Sequence, residues 1–164
     1  MRVSPVLLGI TATAALLSAC GKQSAAPAQG GAPAPAVAEA PTPEKMKAIQ
    51  ATLPAPYNTA DLENGKHKFA QCAACHTITQ GGPNMTGPNL WGVFGRRAGT
   101  EAGYDYSDAV KAAGFTWDAA HIDTWITDPR AMIPGTKMTF IGLKDPKDRT
   151  DVIAYVKVNT TAVK

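Results

Sequence analysis

Five consecutive residues concentrate the chemistry of this 164-residue chain: Cys72-Ala73-Ala74-Cys75-His76. Two thiols three positions apart, with an imidazole directly after the second, form C-x-x-C-H, the pattern of covalent haem attachment. The spacing has a physical reason. At a helix end the two thiols lie close enough to add to the two vinyl groups on one porphyrin edge. The next side chain is then held under the iron, where imidazole Nε2 ligates. Paired cysteines serve two other chemistries. A thioredoxin-type redox pair expects a βαβ setting, which this chain's pattern lacks. A zinc site needs two further Cys or His ligands, and only His67 and His121 remain beside the motif.

An iron held by His76 on one side needs a partner on the other or stays open. Ile133-Pro134-Gly135-Thr136-Lys137-Met138-Thr139-Phe140 supplies a candidate. Pro and Gly keep the stretch extended, so the backbone can lie against a haem edge and turn one thioether inward. A soft sulfur ligand favours ferrous iron and raises the reduction potential relative to two imidazoles. Met46, Met85 and Met132 have no such loop and read as packing residues.

The elements that must position these groups are short. Residues 58–71 read as a helix with Asp61 near its start and Leu62 and Phe69 on its apolar side. Residues 107–113 read as a helical piece ending at Gly114. Asp118 caps a helix carrying Ile122, Trp125 and Ile126, which stops before Asp128-Pro129 because the residue before Pro avoids the helical region. Asp145-Pro146 opens the last helix, with Val152, Ile153 and Val156 inward. Long Gly- and Pro-rich loops, 81–103 and 129–144, lie between. Loops of that length in a small domain argue that something other than protein fills its middle.

Ahead of this domain, which spans 57–164, the chain changes character. Met1-Arg2 gives a positive start, residues 6–17 are mostly apolar and too short to span, and small residues follow, so residues 1–19 read as a signal peptide. Cys20 after Leu17-Ser18-Ala19 resembles the bacterial lipobox, in which that cysteine is lipidated; the alternative is ordinary cleavage near Ser24-Ala25-Ala26, with Cys20 discarded. Residues 20–56 read as an Ala/Pro-rich linker holding seven of the 13 prolines. Within it, Thr42-Pro43-Glu44 starts a weak helix with Met46, Ile49 and Leu53 at helical spacing, ended by Pro54.

Composition excludes several classes. A formal charge of +3, from 16 Lys and Arg against 13 Asp and Glu, is too small a bias for nucleic-acid binding. A mean hydropathy of −0.13 and no long apolar run beyond the N-terminus exclude a polytopic membrane protein. Three cysteines are too few and too odd for a disulfide-stapled domain.

From about Asp61 to Thr160 the chain resembles the mitochondrial-type class I cytochrome c family and its bacterial relatives. Gly87-Pro88-Asn89-Leu90 follows the haem motif. Phe94-Gly95-Arg96, Tyr106-Ser107-Asp108-Ala109 and Gly114-Phe115-Thr116-Trp117 follow in turn, and Met138 comes 62 residues after His76. The resemblance implies an all-α fold of about four to five short helices, with long loops wrapped around one covalent haem c. It also implies that the Pro88 carbonyl accepts from His76 Nδ1, that His76 and Met138 ligate iron, and that Arg96, Tyr106, Ser107 and Trp117, with Thr136 nearby, hold the propionates. Gly65 and Phe69 match the face that crosses the last helix at Val152 and Tyr155. Two positions depart: Trp125 stands where the family usually has a Tyr bonding the Met sulfur, and Val110 replaces a usual Asn.

The expected function is a monomeric, periplasmic single-electron carrier, not an enzyme. It is lipid-anchored through Cys20, with the inner membrane favoured, or else soluble in the periplasm. By resemblance it works between membrane-bound donor and acceptor complexes, a cytochrome bc complex and a terminal oxidase. The alternatives are the electron-accepting subunit of a periplasmic dehydrogenase and a haem peroxidase or gas sensor with open iron. Lys137 and Lys144 flank the Met loop as candidates for docking acidic partners.

Overall fold

The computed structural model describes residues 40–161. The signal peptide, Cys20, the first part of the linker and Lys164 lie outside the described residues. Helix α1 spans Pro43–Ala51, α2 Leu62–Ala73, α3 Asp108–Lys111, α4 Ala119–Thr127, α5 Pro129–Met132 and α6 Pro146–Thr160. Among the described residues the only β pairing is an isolated antiparallel bridge between Arg97 and Thr116. No described helix is long and apolar enough to cross a membrane.

Side-chain caps set the helix starts. Thr42, Asp61, Ser107, Asp118, Asp128 and Asp145 each accept from backbone N–H groups of the first turn they precede. The expected helix from 58 is corrected here. Residues Tyr57–Thr59 form a 3₁₀ turn and Ala60 is extended, so α2 begins only where the Asp61 carboxylate accepts from the amides of Glu63 and Asn64. The expected 129–144 loop opens with the single turn α5, because Asp128-Pro129 both ends α4 and caps its successor. Helix α1 forms where its start signal stands, and it docks: Gln50 Nε2 donates to the carbonyls of Tyr57 and Ala60, at 3.2 and 2.6 Å.

The frame is the crossing of α2 over α6. Gly65 lies against the α6 backbone, where an added Cβ would stand 2.8 Å from the Asp151 carbonyl carbon and from Tyr155 Cβ. Only a residue without a side chain permits that approach. The Asp151 carboxylate, 1% exposed, fastens the crossing. It accepts from the Asp61 amide at 3.0 Å, from Asn64 Nδ2 at 2.7 Å and from Lys147 Nζ at 2.6 Å. Phe69 packs on Tyr155 with ring centroids 5.6 Å apart. Val152, Ile153 and Val156 join Phe69, Val93, Trp117 and Ile126 in one buried cluster. The loop residues of that cluster are placed by backbone pairing: Trp117 N donates to Arg96 O at 2.9 Å and Gly95 N to Trp117 O at 2.8 Å.

Candidate haem-binding site

A cavity of about 340 Å³ opens between α2, α4, α6 and the long loops. Its volume suits a cofactor rather than a water. Cys72, Cys75, His76, Pro88, Arg96, Tyr106, Ser107, Trp117, Thr136 and Met138 all line it, so residues spread over 67 positions face one space.

The C-x-x-C-H segment is shaped by the end of α2. Cys75 N and His76 N both donate to Cys72 O, at 3.0 and 2.9 Å, and this turn folds the second thiol and the imidazole back beside the first. Burial, and then the neighbouring Cys75, push the Cys72 thiol up to about 11. A thiol held neutral in this way is the opposite of the low-pKa thiolate a redox pair requires. Among the described residues no three His, Cys, Asp or Glu side chains gather as a metal cluster, so the pair is not half of a zinc site there.

His76 is oriented by the 86–90 segment running alongside. Its Nδ1 lies 2.7 Å from Pro88 O. A carbonyl only accepts, so Nδ1 carries the proton and Nε2 keeps a free lone pair. Burial lowers the His76 pKa, against the pull of the Pro88 bond, and keeps the imidazole in its ligating form. The segment is fixed by Gly87 N donating to Cys75 O at 2.9 Å and Leu90 N to Thr77 O at 2.8 Å. Gly87 forms a cradle for the ring, since a Cβ there would stand 2.7 Å from both ring nitrogens.

Met138 is half-buried on the cavity wall, and its loop is pinned at several points. Met138 N donates to Thr136 Oγ1 at 3.2 Å, and Thr136 N to Ile133 O at 3.1 Å. Lys137 Nζ donates to the carbonyl and carboxylate of Asp105, at 2.7 and 2.6 Å. Lys137, read as a docking cation, is therefore ion-paired within the fold. Lys144 likewise donates to Thr127 O at 2.8 Å.

The polar residues expected around the propionates are distributed over the wall. Arg96 donates to Trp91 O at 3.1 Å, to Asn89 O at 2.9 Å and to the Glu101 carboxylate. Glu101 had no signal in the sequence; it is five residues from Arg96 in a stretch without periodicity. Burial pushes the Tyr106 phenol up, and its ring meets Tyr104 edge-on at 4.7 Å. Ser107 caps α3, and Trp117 is 8% exposed. Trp125 packs edge-on against Trp117 at 5.5 Å, and Val110 is buried at the same cavity. His67 is exposed. His121 stacks on Phe115 and bonds Asp118 away from the cavity lining.

Two thiols on one edge, a lone-pair imidazole seated on glycine, a thioether from a separate loop and an apolar wall together fit a haem. A class of protein follows: a c-type cytochrome, all-α, with one covalently bound haem c. Residues 62–159 match the family model for cytochrome c, and the chain belongs to that family. It is 52% identical over 96 residues to a cytochrome c2 of Rhodoplanes tepidamans, covering 58% of this chain and 90% of that protein. It is 44% identical to a cytochrome c of Kluyveromyces lactis, covering 63% of this chain and 96% of that one. Among solved structures, cytochrome cH from Methylobacterium extorquens matches with a TM-score of 0.56 and 46% identity, over 60% of this chain and 98% of that chain. Cytochromes of this family are electron carriers, and the cavity belongs to that class of function.

Proposed function

We propose that the protein is a membrane-tethered periplasmic carrier of single electrons, with iron ligated by His76 and Met138, working between a quinol-oxidising cytochrome bc complex and a terminal oxidase. The observation that carries this reading is the convergence of His76 and Met138 on one cavity from independently anchored loops. When bound, the haem supplies one reversible electron at iron. The chain's residues do the rest. Pro88 and Gly87 orient the imidazole. Thr136 and the Lys137–Asp105 pair hold the thioether loop. Ile122, Trp125 and Phe140 line the cavity with the thioether as apolar neighbours, which suits ligand retention rather than acid–base chemistry on a bound substrate. Cys20 behind Leu17-Ser18-Ala19 supports the tether, which raises the local concentration of carrier near membrane partners. One relative, the cytochrome c2 of Rhodoplanes tepidamans, agrees by name with a bacterial carrier.

The test is spectroscopic. The reduced protein shows narrow α and β bands, and the oxidised protein a weak near-infrared sulfur-to-iron band. Met138→Ala abolishes that band, lowers the potential and lets carbon monoxide bind the ferrous form. An unaltered potential with no carbon monoxide binding rejects Met138 as a ligand. Cys20→Ser moves the protein from the membrane to the soluble periplasmic fraction; unchanged fractionation rejects the tether.

A further inference from the structure

Two large apolar side chains stand out as exposed among the described residues: Met85, 47% exposed and so not the packing residue its sequence setting suggests, and Ile141, 86% exposed. Each adjoins a wall of the haem cavity. Met85 leads directly into Thr86, Gly87 and Pro88 on the His76 side, and Ile141 directly follows Thr139 and Phe140 on the Met138 side. They therefore flank the cavity-lining stretches on its two sides, one beside His76 and one beside Met138. Gln71 and Thr139, which line the cavity and are exposed, are uncharged. The two permanent cations of the lining are both neutralised within the fold: Arg96 by Glu101, and Lys137 by Asp105 at 2.6 Å. Opposite charges so close cancel at the distance of an approaching protein, beyond a Debye length of about 8 Å. From Tyr57 onward the chain has 12 Lys and Arg against 11 Asp and Glu, so the domain adds little field of its own.

We propose that the cavity mouth docks its redox partner through an uncharged apolar contact centred on Met85 and Ile141, and that this association is nearly independent of salt. The occupant is an electron-transfer protein whose face around its own redox group is likewise apolar and uncharged. Charge complementarity selects it: an acidic face finds no unpaired cation among the lining residues, whereas an apolar face covers Ile141, which solitary folding leaves in water. The inference rests on the carrier reading above.

Electron self-exchange tests it with a defined probe, because a second copy of this chain presents just such a face. One ferrous copy loses an electron and one ferric copy gains it, with no other reactant. The rate is read from NMR line broadening in mixtures of the two forms. Between 10 mM and 500 mM salt the rate is expected to change less than about fivefold. Ile141→Lys and Met85→Lys, at exposed positions that tolerate the side chain, are each expected to slow low-salt exchange at least about fivefold and to make it climb with salt. A wild-type rate that climbs fivefold or more with salt overturns the proposal, as do both lysine variants exchanging at the wild-type low-salt rate. Electron uptake from hexaammineruthenium(II), a small ion that needs no protein face, separates the two readings. Failure of the wild type to accept that electron refutes the carrier reading, while normal uptake with a failed salt test refutes only the apolar docking.

Discussion

Gly87→Ala places one methyl group against the His76 imidazole, and the structure allows its cost to be worked. The new Cβ would stand 2.7 Å from both His76 ring nitrogens and closer still to Cε1. Unstrained contacts of this kind lie near about 3.5 Å, so ring and backbone must part by about 1 Å. The backbone cannot retreat freely, because Gly87 N is bonded to Cys75 O at 2.9 Å and Leu90 N to Thr77 O at 2.8 Å. The ring must yield, and with it the 2.7 Å bond from Nδ1 to Pro88 O. Overpacking costs about 1–3 kcal/mol and the lost bond about 0.5–1.5 kcal/mol, so the haem-loaded protein loses about 2–4 kcal/mol. At this domain size that lowers Tm by about 10–20 °C, read by circular dichroism of the loaded protein. The potential moves too. An imidazole without its carbonyl acceptor is less basic and supports ferric iron less well, so the midpoint rises in a voltammetric titration. Gly92→Ala is the control. Gly92 has φ +67° with nothing near an added Cβ, so the variant pays only for left-handed backbone, about 1–2 kcal/mol, and leaves the potential alone. Gly87→Ala matching Gly92→Ala in stability and the wild type in potential would refute the reasoning.

Two further perturbations concern the frame. Gly65→Ala drives a Cβ into the α6 backbone at Asp151 and is expected to cost about 2–4 kcal/mol in chemical denaturation, although alanine gains about 1 kcal/mol of helix propensity; a stabilised variant contradicts the close crossing. For Asp151, burial pushes the pKa up, but hydrogen bonds from Lys147, Asn64 and the Asp61 amide prevail and hold it below the ordinary value. A depressed folded pKa means its stabilisation is complete above the unfolded value of about 3.9 and fades as pH falls through the folded one. Asp151→Asn should therefore lower stability at pH 7 by about 1–3 kcal/mol and flatten the loss of stability below about pH 4. An unchanged slope of stability against pH in that range counts against the carboxylate's role.

What could be read from the residues follows the range of the interactions involved. C-x-x-C-H is a local pattern, and its turn is closed by bonds to Cys72 O, so it was visible. Helix starts were visible where a capping side chain meets proline, as at Thr42-Pro43 and Asp145-Pro146. The same signature at Asp128-Pro129 reads only as a stop, because a four-residue helix has no room for apolar periodicity. The start of α2 is not legible in the residues, because the Tyr57–Thr59 turn is held by Gln50, a contact from another helix with no local mark. Arg96 was recognisable by resemblance, but its partner Glu101 was not. Lys137 looked like a free surface cation because Asp105 lies 32 residues earlier in the chain.

Those invisible contacts explain how loops too long to order themselves hold His76 and Met138 in place. Residues 101–106 bridge the lips of the cavity. Tyr104 Oη donates to Thr86 O at 2.6 Å and Asn84 Nδ2 to Ala102 O at 2.9 Å, which secures the His76 side. Asp105 receives Lys137 next to Met138, which secures the other side, and Glu101 receives Arg96 between them. Helices α2 and α6 supply the rigid back through Gly65 and Asp151, while this strap supplies the front. A carrier whose charge changes by one at each turnover benefits from that division. Side chains already pinned by neighbours have little to rearrange when the electron arrives, and the apolar wall of Trp117, Ile126 and Val152 keeps water from reorganising in their place.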